Sequence, residues 1–396
     1  MKSSTHRILT SHVGSLPRAD DVLRLIYPKE TGQPYDRETQ ARGMRDAVSD
    51  IVRRQREIGI DIVNDGEQTK SNFIAYVRTR LGGFEIIEPT KRASDVTRDA
   101  LAFPGFYEER AKETAMRKAN RPMQIASLRM RCVGPVTYIG HDDLKADIDY
   151  LKAAAEGSSA EEAFMTAISP SNLEHSHINE YYTAAEEYLA ALAEAMRVEY
   201  MAIVDAGFIL QIDDPRLATH YDRTPGASVE ECRKFMAQKV EALNHALRGI
   251  PEDRVRFHTC YSTNVAPRVH DLELKHYVDL MLRVRAGAYS FEAANPRHEH
   301  EWQVWKDVKL PPGKLIMPGV VSHCVTLVEH PELVAQRIIR YANVVGRENV
   351  IAGNDCGFST SAVLDEVHPE IAWAKLQALT EGAQVASRHL WGRLAS

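Results

Sequence analysis

Short apolar runs that end in small, polar or charged residues recur eight times along the chain. They are ILTSHVGS (8–15), IDIVNDGE (60–67), RCVGPVTY (131–138), FILQIDDP (208–215), VRFHTCYS (255–262), AYSFEA (288–293), LIMPGVVS (315–322) and VIAGNDCG (350–357). Between them, apolar residues recur at spacings of three and four over 38–59, 186–207, 229–249 and 330–346. The first pattern predicts buried strands, the second helices that cover one face of a sheet. Gly59, Gly207, Gly249 and Gly346 close the helical segments, where a left-handed residue ends a helix. Strand and helix alternating in this way predict an α/β fold, a (β/α)8 TIM barrel built as one elaborated domain over residues 1–396. The second half is spaced as a plain repeat. In the first half, 70–130 and 139–185 are rich in charge and alanine and are expected to be insertions: loop helices over the barrel mouth, or a small subdomain. A split into two domains near residue 150 is the alternative.

Composition narrows the classes. A formal net charge of −6 argues against a nucleic-acid binder held by bulk charge, and leaves room for a local anion pocket. No uninterrupted apolar run reaches the ~18 residues of a membrane span, and the first residues, MKSSTHRILTSHVGSLPR, carry no apolar run of signal-peptide length. The five cysteines, Cys132, Cys232, Cys260, Cys324 and Cys356, are odd in number and unevenly spaced, which does not fit a disulfide framework. A cytoplasmic, reducing setting is expected. There, a cysteine beside a histidine serves as a ligand or a nucleophile more often than as half of a bridge.

In such barrels the active site forms at the carboxyl ends of the strands. His258 and Cys260 lie two apart on a strand, so they point to the same face and can share one ion. Glu292 and Cys356 come from later strand ends and converge on the same mouth. One imidazole, two thiols and a carboxylate suit a four-ligand zinc site, and thiolates disfavour magnesium or calcium. An H-x-C pair by itself is also compatible with ordinary core packing, since buried cysteine behaves as a small hydrophobe. His298 and His300 in NPRHEHEW (295–302) stand among acids. A polar helix start with Trp302 and Trp305 on its packing face is preferred there to a second metal.

Beyond these residues, HVGSLPR, VNDGEQ, GPVTY, LQIDDP, HTCY, FEAAN, MPGVVSH and NDCG occur in the order of the motifs of cobalamin-independent methionine synthases. The chain resembles the C-terminal catalytic barrel of that family over nearly its whole length. The resemblance implies a (β/α)8 barrel with catalytic zinc (Zn2+) on His258, Cys260, Glu292 and Cys356. It implies a zinc-dependent S-methyltransferase that methylates a small thiol, homocysteine, to give methionine. Gly14 and Ser15 match the turn that receives the amino-acid carboxylate, and Glu67 and Asp213 match acids that hold the amino group. His323 falls near the family's proposed acid, offset by one residue. The implied partners are the thiol and a methyl donor, a folate or a corrinoid protein, with no nucleic acid and no membrane; assembly into homo-oligomers is left open.

Three departures qualify the likeness. The extra N-terminal barrel of the long synthases has no counterpart in these 396 residues. After GPVTY the family carries a tryptophan that stacks on the pterin, whereas here the run is IGHDDL, with His141 near that place. Arg18 follows VGSLP, where long members tend to carry a neutral residue; it is expected either to grip a carboxylate, sulfonate or phosphate or to be solvated. Two other functions therefore stay open. One is a zinc enzyme that alkylates another thiol, as in epoxide ring opening by coenzyme M. The other is a non-catalytic zinc-binding protein.

Overall fold

Eight parallel strands form a nearly closed barrel with helices around it, and three further strands make a small separate sheet. The computed structural model describes residues 1–87, 96–119, 129–263, 265–359 and 367–392. In chain order the strands are β1 (Leu9–Thr10), β2 (Ile62–Val63), β3 (Leu81–Ile87), β4 (Arg129–Tyr138), β5 (Glu162–Ile168) and β6 (Ile178–Asn179). They continue as β7 (Ile209–Asp213), β8 (Val255–Thr259), β9 (Ala288–Phe291), β10 (Leu315–Val321) and β11 (Ile351–Asn354). The barrel order is β1-β11-β10-β9-β8-β7-β5-β2. At the remaining joint a side chain supplements the ladder. The Asp61 backbone N–H donates to Thr10 O at 3.1 Å, while Asp61 Oδ2 accepts from the Thr10 backbone N–H at 2.9 Å and its hydroxyl at 3.0 Å.

The apolar runs are buried on both faces, as parallel strands require. Leu9, Ile62, Phe164, Ile209, Met317 and Ile351 fill the barrel interior. A larger cluster lies between the strands and the helices. In the helix Ala185–Asp205, Leu192, Met196, Tyr200 and Ile203 form the buried stripe at the predicted three-to-four spacing. Gly59, Gly207, Gly249 and Gly346 all have positive φ, between 77° and 95°. Among the described residues no helix is long and apolar enough to cross a membrane.

One expectation about the barrel is overturned. Residues 131–138 are a strand, but not of the barrel: β4 pairs antiparallel with β3 and parallel with β6. Gly134-Pro135 lies within β4, and the β3–β4 register shifts opposite it, between Gly82 and Phe84. A proline without an N–H suits such a bulged ribbon better than a central barrel strand. The barrel strand that takes this place is β5, which lies inside the segment 139–185 expected to be an insertion. Its sequence EAFMTAI is buried from Phe164 to Ile168. Alanines on either side gave the segment a helical look. Residues 70–130 include β3 and the helices Arg98–Ala102 and Pro104–Ala119; 88–95 and 120–128 lie outside the described residues.

Candidate active site

Register brings the first donors together. Asp213 at the end of β7 pairs with His258 of β8, and His258 pairs with Ser290 of β9. The Ser290 hydroxyl stands 3.0 Å from His258 Nδ1 and fixes the ring. His258 Nε2 is buried and has no partner among the described residues. Cys260, just past the end of β8, lies with its Sγ 3.2 Å from Cys356 Sγ, just past β11. Donor atoms of His258, Cys260 and Cys356 all lie within 4.8 Å of one another, and all three residues are buried. The hydrogen bond with Cys356 and the neighbouring His258 hold the Cys260 thiol well below its usual range, against the effect of burial; the same bond and burial push Cys356 up. Two sulfurs and an orphaned imidazole nitrogen whose partner nitrogen is already anchored form a donor set that fits zinc.

Glu292, the fourth expected ligand, lies in an adjoining group. Its carboxylate, His323 and Cys324 have donors within 4.8 Å of one another. It accepts from the Tyr261 backbone N–H at 2.8 Å and Asn295 Nδ2 at 2.7 Å, and Arg268 faces it at 3.4 Å. Burial alone would raise this carboxyl; Arg268, His323, His298 and the Asn295 amide hold it down at about 2. Its charge acts on both thiols of the first group. His323 Nε2 stands 3.1 Å from Ser262 O, and its Nδ1 has no partner among the described residues. Burial draws the His323 imidazole below its ordinary pKa. His298 is bound to Glu301 at 2.9 Å and Asp271 at 3.1 Å, so it belongs to a buried ion-pair cluster.

The three donors open onto a cavity of about 410 Å3 that Ser15, Glu67 and Asp213 also line. Ser15 Oγ and Glu67 Oε2 are buried without a partner among the described residues. Glu67 has a φ of 55°, and its Oε1 accepts from Thr166 Oγ1 at 2.8 Å. Gly14 leaves room for this contact: a Cβ there would lie 2.7 Å from Thr166 Cγ2 and 3.3 Å from Glu67 Oε1. The turn is pinned from below, where Gly14 N–H donates to His12 Nδ1 at 3.2 Å and His12 Nε2 meets Gln55 Oε1 at 2.8 Å. Asp213 accepts from Gln211 Nε2 at 2.7 Å, and Gln211 accepts from the buried Arg256 at 2.7 Å. Burial pushes the Asp213 carboxyl up to about 7.

Arg18 is buried and engages backbone carbonyls. Its Nε and Nη2 donate to Glu67 O at 3.0 and 2.6 Å, and Nη1 donates to Ser359 O at 2.8 Å. It thereby ties the Glu67 turn to the loop after Cys356. Sequence reasoning missed four residues of the site: Ser290, Arg268, Thr166 and Asp355. Ser290 had a usable signal, since it precedes Glu292 by two on the same strand run. Asp355 Oδ1 accepts from the Ala293 and Ala294 backbone N–H groups, both at 2.7 Å, and so joins the loops after β9 and β11.

Comparison with known proteins gives the family and the fold. The family model described as cobalamin-independent synthase, catalytic domain, matches residues 8–172 and 125–378. The chain belongs to this family. Among its curated relatives, the methionine synthase of Thermococcus kodakarensis is 25% identical over 384 residues, covering 96% of this chain and 94% of that protein. That of Pyrococcus furiosus is 24% identical over 382 residues, covering 96% and 93%. Among solved structures, a B12-independent methionine synthase from Shewanella sp. W3-18-1 in complex with selenomethionine has a TM-score of 0.69 at 20% identity, covering 97% of this chain and 99% of that one. A putative vitamin-B12 independent methionine synthase from Listeria monocytogenes has a TM-score of 0.65 at 18% identity, with 97% and 98% covered. At these identities the two structures establish that this chain has the synthase family's fold.

Proposed function

We propose that this synthase-family protein is a zinc-dependent methyltransferase that converts homocysteine to methionine. The observation that carries the proposal is one cavity that joins a sulfur–imidazole donor set to carboxylates suited to an amine. His258, Cys260 and Cys356 would hold the zinc, with Glu292 as the exchangeable fourth ligand. A zinc ion there supplies Lewis acidity that keeps a substrate thiol ionised at neutral pH. The protein's own groups do the positioning. Glu67 and Asp213 receive the ammonium group, and Ser15 Oγ, which has no partner among the described residues, donates to the substrate carboxylate. Ser290 fixes the tautomer and tilt of His258 through Nδ1. Arg268 and Asn295 hold Glu292 beside the donor set. His323, whose Nδ1 has no partner among the described residues, is assigned to the proton needed at the leaving group. Two acids favour an amino-acid thiol over a sulfonated one, which they would repel. The methyl donor consistent with the family is a folate.

Zinc X-ray absorption with added thiols tests this. Homocysteine should add one sulfur to the zinc shell and remove one oxygen, while Cys260→Ala and Cys356→Ala should lose zinc. Purified protein without zinc, or a shell indifferent to every thiol, would refute the proposal.

A further inference from the structure

The cavity also carries a group for which the acceptor thiol has no use. Arg216, in the short helix Pro215–Thr219 directly after β7, lines it. The residue is 8% exposed, yet its Nε and Nη1 have no hydrogen-bond partner among the described residues. A buried cation whose hydrogen-bond donors are unused is destabilising. Two carboxylates act on it electrostatically, and both are engaged elsewhere. Asp214 accepts from Ser171 Oγ at 2.7 Å, Asn172 Nδ2 at 2.9 Å and the Leu217 backbone N–H at 3.2 Å. Glu174 pairs with Lys239 Nζ at 2.6 Å. Arg223 lines the same cavity and adds like charge. Burial, with Arg223 beside it, lowers the Arg216 guanidinium only to about 10, so it remains a cation at neutral pH. His220, stacked on Phe235 with ring centroids 3.5 Å apart, is kept neutral by burial and by Arg216.

We infer that Arg216, with Arg223, forms an anion subsite of this cavity and receives a carboxylate or phosphate group borne by the methyl-donating substrate. The subsite follows from the unpaired guanidinium; assigning its anion to the donor rests on the thiol methylation proposed above. Charge then sorts the two substrates. The ammonium of the acceptor is drawn to Glu67 and Asp213 and repelled by the arginines, and an anionic donor behaves in the opposite way. A folded protein retains a destabilising charge where binding uses it.

The test compares zinc-loaded wild type with Arg216→Met, which keeps the side-chain length and removes the charge, and with Arg216→Lys. Inorganic phosphate and glutarate are titrated calorimetrically, and homocysteine binding is followed separately by the zinc–sulfur shell. At least one anion should bind the wild type, about ten-fold or more weakly to Arg216→Met, with part of the loss recovered in Arg216→Lys. The tighter probe identifies the anion as phosphate or carboxylate. Homocysteine should still add its sulfur in all three proteins, and Arg216→Met should melt no lower than wild type. Equal anion binding by wild type and Arg216→Met, or no anion binding at all, overturns the subsite. A lower melting temperature for Arg216→Met overturns it too, since that marks a structural cation. Loss of homocysteine binding in Arg216→Met would place the anion on the thiol and overturn the assignment to the donor. If homocysteine adds no sulfur even to wild type while anion binding still needs Arg216, the proposed function falls and the subsite stands.

Discussion

Asp355 offers a sharp test of how the donor set is held. Its Oδ1 accepts two backbone N–H groups, from Ala293 and Ala294, at 2.7 Å each. These follow Glu292 directly, and Asp355 itself precedes Cys356. Asp355→Ala removes the acceptor of both bonds and leaves two buried donors unpaired. Each costs about 1–3 kcal/mol, so the variant should lose about 2–6 kcal/mol before any relaxation. Asp355→Asn keeps Oδ1 as an acceptor and loses only the charge, so it should stay close to wild type. The alanine variant should bind zinc about 10–100-fold more weakly, the range found when a partner of a metal ligand is removed. Gly319→Ala approaches the same segment from the other side, because a Cβ there would lie 2.8 Å from the Asp355 backbone N and Cα. Zinc affinity is measured by competition with a chromophoric chelator, and stability by urea unfolding of the zinc-free protein. If Asp355→Ala holds zinc as tightly as wild type and unfolds within about 0.5 kcal/mol of it, the cross-link is irrelevant to the site.

Three further outcomes are expected. Arg80 is buried, 2.6 Å from Asp147 and 3.7 Å from Glu199, which also accepts from Tyr76 at 2.7 Å and Tyr138 at 2.8 Å. Arg80→Met should therefore cost about 3–5 kcal/mol in denaturant unfolding; a loss below about 1 kcal/mol would contradict the network. Burial holds His12 down from 6.5 to about 4, against its bond to Gln55, so the folded state resists its protonation. The stability this group contributes is complete above pH 6.5 and lost as pH falls toward 4, up to about 3 kcal/mol. His12→Gln should flatten that part of the stability profile, and an unchanged slope would exclude His12 as its source. Glu67→Gln should raise the KM for homocysteine about ten-fold or more while sparing kcat and zinc content; an unchanged KM would remove Glu67 from the amine site.

The parts of this structure legible in the sequence are those where one residue announces its environment. The runs ending at Asp213, His258, Glu292 and Cys356 join continuous apolar stretches to polar ends, and only a buried parallel strand with an open carboxyl end accommodates both. Partnership between strands was less legible. RCVGPVTY is a strand, but its place beside β3 depends on pairing that no local pattern records. Strand β5 looked like part of a helical insertion because alanine suits either environment and its polar end is only Ser169. Long-range acceptors were hidden as well. Arg18 could be seen as a cation, yet among its partners are carbonyls 49 and 341 residues away, and carbonyl direction has no side-chain signature. Asp355 is one polar residue in the run ending at Cys356, and its two N–H partners lie on another strand's loop.

The strand order divides the barrel mouth into two arcs. Strands β2, β5 and β7, with the turns that follow them, carry Glu67, Thr166 and Asp213, while β8 to β11, with the turns that follow them, carry His258, Glu292, His323 and Cys356. Mutations that reshape one arc therefore leave the backbone ladder of the other intact. On the proposed function, acceptor preference can drift through β2, β5 and β7 while the arc with the candidate metal donors is inherited unchanged, and directed evolution toward a different thiol is best confined to that first arc. The junctions to spare are the Asp213–His258 register pair and the Arg18 tie between the Glu67 turn and the loop after Cys356, where a substitution on one side reaches the other.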